Sequence, residues 1–273
     1  MTHLIALIDG SGYSQSVCDL TRWAAERTDA SVELMHILGR RSAGSEPADL
    51  SGNLKLGART ALLQELADLD EQKAKLDLKR GRLLLEEAKA ALEDGKISTV
   101  TTKLRHGDLI ESIAEFEGTA DLILIGKRGE ASDFAKLHLG SNLERVVRSA
   151  TKPVLVASRA FKPINKFLIA FDGGESVMKA VRHIASGKLF TGLACVLLCV
   201  GKPNNDLQEK LDDAAALLRK AGYDVDASFE TGDPEDVIKN RIETDGIDLL
   251  VMGAYGHSRI RNLIIGSTTT EMV

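Results

Sequence analysis

Apolar runs of six to eight residues alternate along the chain with segments of helical periodicity. In the second half, KFLIAF (166–171), LACVLLCV (193–200) and IDLLVM (247–252) have the pattern of buried strands. Between them, apolar side chains recur every three or four residues in 175–186 and 207–222, which predicts helices. Strands that alternate with helices predict right-handed crossovers and a parallel sheet covered on both faces.

The same order of patterns occurs twice. Four segments of the first half recur in the second: 3–14 at 166–177, 104–113 at 229–238, 120–129 at 247–256 and 138–147 at 264–273. Repetition of whole strand–turn–helix units indicates a tandem duplication. We therefore predict two tandem α/β domains, each a doubly wound parallel sheet of Rossmann type, over residues 1–159 and 160–273.

The first copy carries an insertion at about 40–95, which the second copy lacks. It consists of a loop rich in Gly, Ser and Pro and a helical stretch from about 58 to 93. The leucines at 62, 66, 69, 76 and 83 lie on one stripe, which Lys73 and Arg80 interrupt. The interruption favours an elongated surface helix with one apolar face. The alternative is a partner-binding or coiled-coil helix.

Composition limits the classes of partner. The chain has 273 residues and a net charge of −5 at pH 7, so nothing indicates nucleic-acid binding. The three cysteines, Cys18, Cys195 and Cys199, are too few for a disulfide framework and suit a reducing cytoplasm. The sequence begins with a strand pattern rather than a signal peptide, and no apolar stretch reaches the roughly 18 residues of a membrane helix. We expect a cytoplasmic protein without a membrane or nucleic-acid partner.

The sequence GAYGHSRIRNLIIGSTTT follows the last apolar strand of the second copy. Gly253 lets the backbone turn sharply and lets a ligand approach, and Gly256 allows a second turn. Gly266 and Ser267 then open a predicted helix whose first amides, from Thr268 onward, point outward unpaired. Amides, hydroxyls and helix dipole together favour a phosphate group at this point. The alternative is that these glycines serve only the strand exit and the helix entry.

This Gly-x2-Gly-x9-Gly-Ser pattern resembles the ATP-binding motif of the universal stress protein family. The repeats extend the resemblance over nearly the whole chain, in tandem form. The resemblance implies ATP, alone or together with Mg²⁺, as the ligand of the second copy. The cofactor-binding residues that it implies are Asp172 and Gly173 after the first strand, Val200 beside the adenine, Gly232 after the third strand, and Gly253, Gly256, Gly266, Ser267 and Thr268 at the ribose and phosphates.

The first copy departs from this pattern. It retains Asp9, Ile37, Gly107, Gly126, Gly129, Gly140 and Ser141. However, ten residues rather than nine separate Gly129 from Gly140, and the run of hydroxyls after Ser141 is lost. We therefore predict a weaker or non-binding site in this copy. We also expect Lys127 and Arg128 to form a solvated loop pair rather than a phosphate clamp.

Motifs of other nucleotide-binding classes are missing. GxxxxGK[ST] does not occur, and GSGYSQ after the first strand lacks the third glycine of the dinucleotide fingerprint. His257 and Asp172 alone do not make a catalytic constellation, and the histidine spacing supports no metal site. We favour a stress-response binding and signalling protein that responds to ATP. The alternatives are a slow ATPase or self-phosphorylating protein that uses Ser267, and a nucleotide-independent scaffold that acts through the long first-copy helix.

The sequence stops at Val273, inside the last predicted helix. In the first copy the corresponding helix is followed by a fifth strand at 152–158, and the family resemblance implies that such strands pair between tandem halves or across a dimer. We therefore expect the natural protein to continue for about 10–15 residues. If it ends here, we expect the exposed edge of strand 152–158 to recruit a second chain as a homodimer.

Overall fold

The computed structural model describes residues 2–39, 56–94, 97, 99–129, 141–202 and 204–253. The first half contains β1 (His3–Leu7), α1 (Ser14–Thr28), β2 (Ser31–Gly39), α2 (Leu56–Glu93), β3 (Val100–Gly107), α3 (Leu109–Phe116), β4 (Leu122–Gly126), α4 (Ser141–Ser149) and β5 (Val154–Ala157). The second half contains β6 (Lys166–Phe171), α5 (Glu175–Ser186), β7 (Ala194–Val200), α6 (Asn205–Lys220), β8 (Val225–Glu230), α7 (Pro234–Asp245) and β9 (Leu249–Met252). A 3₁₀ turn, Glu117–Thr119, connects α3 to β4.

Each half forms one parallel sheet. The strand order is β3-β2-β1-β4-β5 in the first sheet and β8-β7-β6-β9 in the second. The central strand of the second sheet pairs on both sides, so that Phe167 lies opposite Cys195 and Leu249. The predicted fold class, two tandem α/β domains with parallel sheets of Rossmann type, is confirmed. The end of the chain, where we expected a fifth strand to be missing, lies outside the described residues.

Both faces of the first sheet are covered by helices. Alternate side chains of β1 enter separate cores, Leu4 and Ala6 on one face and Ile5 and Leu7 on the other. All four are buried. A strand that buries both faces needs apolar residues at consecutive positions, which explains the continuous apolar runs in the sequence.

Short polar residues determine where several helices begin. Asn204 accepts a hydrogen bond from the amide of Asp206 at 3.0 Å, so α6 begins two residues before the start that apolar periodicity predicted. Asp233 caps α7 in the same way, with Pro234 in the first turn. Gly246, in the left-handed conformation, ends that helix.

The two halves share one continuous hydrophobic cluster. Trp23 on α1 meets Phe190 edge-on at 6.5 Å between ring centroids, and Phe190 in turn packs on Phe167 of β6 at 4.9 Å. Arg27 donates hydrogen bonds to the carbonyl oxygens of Leu189 and Thr191. The contact between the halves is therefore an extension of the core, with aromatic packing and backbone hydrogen bonds.

Helix α2 has 38 residues, whereas its counterpart α6 has 16. Among its described side chains, the buried ones that pack on the first sheet, Leu85, Ala88 and Leu92, lie in its C-terminal part. Gly81 lies so close to β2 and β3 that a Cβ there would stand 2.8 Å from His36 and Leu104. The face that packs on the body is therefore a different one from the leucine stripe noted in the sequence.

Candidate functional site

A cleft of about 890 Å³ lies beyond the carboxyl ends of the strands of the first sheet. The chain continues from β1 to β2 on one side, whereas β4 lies on the other side of β1, so the strand order reverses there. In open α/β sheets, ligands bind in the crevice outside such a reversal. The position of the cleft alone makes it a candidate ligand site.

Five of the seven residues that we selected in the first copy line this cleft. They are Asp9, Ile37, Gly107, Gly126 and Gly129. Gly140 lies outside the described residues, and Ser141 begins α4 with a side chain that is also outside them. The fold thus brings together residues that are distant in sequence, and their role as ligand contacts stays a prediction.

Corresponding glycines give the two copies the same backbone conformation at this edge of the sheet. Gly10 and Gly173, each just after the first strand of its copy, have φ of 74° and 71°. Gly107 and Gly232, before the third helix of each copy, have φ of 142° and 147°. Residues with a Cβ rarely adopt such values, so both pairs of positions require glycine for the turn itself.

The aspartate after the first strand is held by the backbone in both copies. Asp9 Oδ1 accepts the amide of Ser11 at 3.0 Å, and Asp172 Oδ1 accepts the amide of Gly174 at 2.8 Å. A Cβ on Gly129 would lie 2.8 Å from Asp9 Oδ2. The loop after β4 therefore passes directly over this carboxylate, and a side chain at this position would have to displace it.

Lys127 lines the cleft and is buried, so the expectation of a solvated pair with Arg128 is wrong. Only 8% of Lys127 is exposed, and its ammonium nitrogen has no hydrogen-bond partner among the described residues. Burial, and secondarily the charge of Arg128, lower the pKa of Lys127 to about 8. The amide of Lys127 donates to Ala157 O at 2.9 Å. This hydrogen bond continues the β4–β5 pairing by one residue. The side chain of Lys127 therefore lies on the same face of the sheet as the buried side chain of Ile125, two positions earlier.

Two arginines of α4 also line the cleft, and the sequence did not single them out. Arg145 Nη2 donates to Asp108 Oδ2 at 2.6 Å, and Arg148 pairs with Glu144 at 2.7 Å. The hydrogen bond from Arg145 and the amide of Ile110 hold the pKa of Asp108 below its usual range. The i, i+3 spacing of the two arginines on a helix next to the cleft was the signal that could have identified them.

The described part of the second copy places its predicted residues at one edge as well. Asp172 follows β6, Val200 ends β7, Gly232 lies just beyond β8 and Gly253 follows β9. The four strands are parallel, so these positions share the carboxyl edge of the second sheet. The remaining predicted residues, Gly256, Gly266, Ser267 and Thr268, lie outside the described residues.

The glycine at the end of the fourth strand of each copy has a packing role. A Cβ on Gly253 would lie 3.1 Å from the Ser176 side chain and 3.2 Å from the amide of Val177. At the corresponding Gly126, a Cβ would lie 2.8 Å from Tyr13 Cβ. The first turn of α5 thus lies close to Gly253, and the expected approach of a ligand to this glycine stays a prediction.

The cysteines fit a packing role. Cys18, Cys195 and Cys199 are free and buried, and burial raises their pKa values to about 11, 12 and 11. In the part of the chain that the structure describes, no three metal-ligating side chains form a group. In that same part, every helix is too short or too polar to cross a membrane.

Sequence comparison matches both copies to one family. The model of the universal stress protein family matches residues 1–158 and again 163–273. Universal stress protein Slr1230 of Synechocystis is 37% identical over 276 aligned residues, which cover 100% of this chain and 96% of the relative. This chain belongs to the universal stress protein family. The tandem form that the repeats predicted is confirmed.

Solved structures of universal stress proteins share the fold. A structure from Archaeoglobus fulgidus superposes with a TM-score of 0.64 at 18% identity, and the match covers 98% of this chain and 90% of that one. Another match, with a TM-score of 0.37 and 15% identity over 58% of this chain and 98% of its own, is a universal stress protein in complex with cAMP.

Proposed function

We propose that this universal stress protein binds ATP at the carboxyl edge of the second sheet and acts in the cytoplasm as a stress-response binding and signalling protein. The observation that carries the proposal is that Asp172, Val200 and Gly253, from three different strands, come together at that edge. The Gly-x2-Gly-x9-Gly-Ser motif starts at Gly253. Each half has its own parallel sheet, so each half has one such carboxyl edge.

The residues of this edge suit an adenine nucleotide. Asp172 has a carboxylate oxygen beyond the one that Gly174 occupies, and it can accept from the adenosine end. Val200 is half-buried and apolar, as a surface beside a flat base requires. The amides and hydroxyls around Ser267 would bind the phosphates, with Mg²⁺ as a further counter-charge.

Calorimetric titration with ATP tests the assignment. Gly266→Val places a branched side chain where the phosphates would approach the amides, and we expect at least tenfold weaker binding, about 1.4 kcal/mol. The matched control is Gly140→Val, at the corresponding position of the first copy, which should leave the main titration unchanged. Equal binding by wild type and Gly266→Val would remove the phosphate site from this stretch.

We infer that the first copy binds the same ligand much more weakly. The cations that line its cleft are engaged or enclosed: Arg145 is paired with Asp108, and the ammonium of Lys127 is shut off from solvent. A phosphate group would have to break the ion pair or reach an enclosed amine. Titration of the Gly266→Val variant isolates this cleft, and tight binding there would overturn the ranking of the two sites.

Turnover of ATP is expected to be slow. The motif supplies amides and hydroxyls that bind phosphates, and the sequence adds no general base beside them. Phosphate release with Mg-ATP should stay well below about 1 s⁻¹, the low end of ordinary enzymes. A faster rate would identify an ATPase. Phosphate transferred to Ser267, detected by peptide mass, would instead identify a self-phosphorylating protein.

A further inference from the structure

The N-terminal part of α2 extends beyond the body of the first domain. The helix has 22 more residues than α6, 38 against 16, which corresponds to about 33 Å of additional length. When α2 is followed towards its N-terminus, the last buried side chain among the described residues is that of Leu85, four residues after Gly81. Between 63 and 77 the described side chains are exposed, apart from the half-buried Ala74.

This extension carries an apolar face that no other element covers among the residues that the structure describes. We call Leu62, Leu66, Leu69, Leu76 and Leu83 the leucine stripe. Its last four members are 44–66% exposed. With Leu63 beside them, they are all of the large hydrophobic side chains that are exposed in the described part of the chain. Leu62, Leu69, Leu76 and Leu83 follow each other at intervals of seven, the repeat that keeps a seam facing a second helix.

The charges along this helix are separated into two blocks. Residues 62–72 contain four acidic side chains and no basic one, whereas residues 73–82 contain five basic and one acidic. Glu65, Gln72 and Lys79 also follow each other at intervals of seven, so they lie along one flank of the stripe. The flank thus runs from an acid through a neutral centre to a base.

We propose that the leucine stripe binds the α2 helix of a second copy of this chain in antiparallel orientation, centred near Gln72. In that orientation Glu65 of each copy faces Lys79 of the other, and each acidic block lies against a basic one. A parallel pair would place like charges together, at a cost in stability. Charge complementarity therefore selects both the occupant and its direction.

The leucines supply the attraction between the helices. About three heptads of stripe become buried in the pair, a small interface, so association should be concentration-dependent rather than permanent. Lys73 and Arg80 interrupt the seam and limit its affinity, as polar core positions do in other helix pairs. The other candidate surface for self-association is the free edge of β5, which pairs only with β4 among the described strands.

Sedimentation of the full chain over a concentration series is the first test. Leu69→Gln with Leu76→Gln keeps helix propensity, removes half-exposed apolar surface and should raise the dimer dissociation constant at least tenfold. The control changes two exposed, uncharged positions of α2 outside the stripe, Ala67→Gln with Ala90→Gln, and should leave the dissociation constant unchanged. A wild-type chain that stays monomeric at about 100 µM overturns the proposal and assigns the stripe to another protein.

Charge exchange tests the orientation. Glu65→Lys or Lys79→Glu alone places like charges opposite each other and should weaken the dimer several-fold, and the double exchange should restore it. Added salt should weaken the wild-type dimer, because exposed charges are screened. Single exchanges without effect would refute the antiparallel register.

Cysteine cross-linking gives a direct distance. The three native cysteines are buried, so an engineered thiol on α2 reacts selectively. Gln72→Cys lies at the twofold centre and should form a disulfide between two copies, whereas Glu65→Cys should not. Disulfides at both positions would indicate a parallel pair, because there every residue faces its own counterpart. A dimer that forms no cross-link at Gln72 and withstands the leucine changes assigns self-association to a different surface, with the β5 edge the first to examine.

Discussion

Lys127 follows β4 directly, and its ammonium lies in the protein interior without a hydrogen-bond partner among the described residues. Its pKa is about 8 in the folded chain, against 10.5 for the ordinary side chain. Desolvation is the main cause, because burial disfavours the charged form. At neutral pH the folded chain therefore carries a buried charge that the unfolded chain keeps in water.

The pH dependence of stability follows from this lowered pKa. Between about pH 8 and 10.5 the unfolded state binds more protons at Lys127 than the folded state, so this group makes stability rise with pH in that window. Lys127→Met should remove that rise and stabilise the chain at pH 7 by about 2 kcal/mol. Urea unfolding at pH 7 and pH 10 measures both effects. The exposed Lys202→Met should show neither, and a destabilised Lys127→Met would indicate an unrecognised partner for the ammonium.

Asp108 combines two roles that substitutions can separate. It caps α3 by accepting the amides of Ile110 and Glu111, and it pairs with Arg145. Asp108→Asn keeps an acceptor for the cap and should cost about 0.5 kcal/mol, the scale of an exposed ion pair. Asp108→Ala removes both and should cost about 1–2 kcal/mol.

Thermal unfolding of the two Asp108 variants at pH 7 and pH 3 measures the difference. The pKa of Asp108 is lowered on folding. Its contribution to the free energy of unfolding is therefore present at pH values above the usual pKa range of aspartate and is lost as the pH falls through the lowered pKa. Asp233→Ala, at the corresponding cap in the second copy, is the reference for loss of a cap. If Asp108→Asn and Asp108→Ala lower the stability equally, the ion pair with Arg145, and not the helix cap, accounts for the loss.

At the scale of elements, Gly81 determines how closely α2 lies on the sheet. A side chain at this position meets His36 and Leu104 at 2.8 Å, and His36 is itself held by a 2.6 Å hydrogen bond to Ile8 O. Gly81→Val must therefore displace these side chains or the helix itself, and we expect it to cost about 1–3 kcal/mol. Ala67→Val, on an exposed position of α2, should stay within about 0.5 kcal/mol. If urea unfolding shows the same loss of stability for Gly81→Val and Ala67→Val, α2 does not pack closely on the sheet at Gly81.

Elements with strong local signals were predictable from sequence. The strand at 166–171 and the helix at 175–186 have the predicted bounds in β6 and α5, because apolar runs and glycine turns delimit them without reference to the rest of the chain. The parallel sheets followed from the alternation of strands and helices.

Features that depend on tertiary packing were not predictable in the same way. A lysine after a strand is normally solvated, and Lys127 is buried because its backbone continues the pairing with β5. The leucine stripe has the period of a buried face, yet the side of α2 that packs on the sheet is the one with Leu85 and Leu92. Which of two apolar faces is covered depends on the neighbouring sheet, which periodicity does not contain.

At the scale of the whole molecule, one shared cluster of buried side chains connects the hydrophobic cores of the two halves. The side chains of Trp23, Phe190 and Phe167 form a chain of ring contacts from α1 to β6. A hydrophobic interface that is continuous with both cores resists independent motion of the domains. If the proposed nucleotide site in the second half is occupied, we therefore expect the stability of the first half to change as well.

Cooperative unfolding is the measurable consequence. Trp23 is the only tryptophan, so its fluorescence reports the first half and its contact with Phe190, whereas far-UV circular dichroism reports both halves. In the wild type the two signals should show one coincident transition.

Phe190→Ala should lower the free energy of unfolding by about 3–5 kcal/mol and separate the two transitions, because it empties the centre of the shared cluster. Phe116→Ala, at a half-buried site packed only on the first-half core, should lower stability and keep them coincident. Two separate transitions in the wild type would instead show that the halves fold independently.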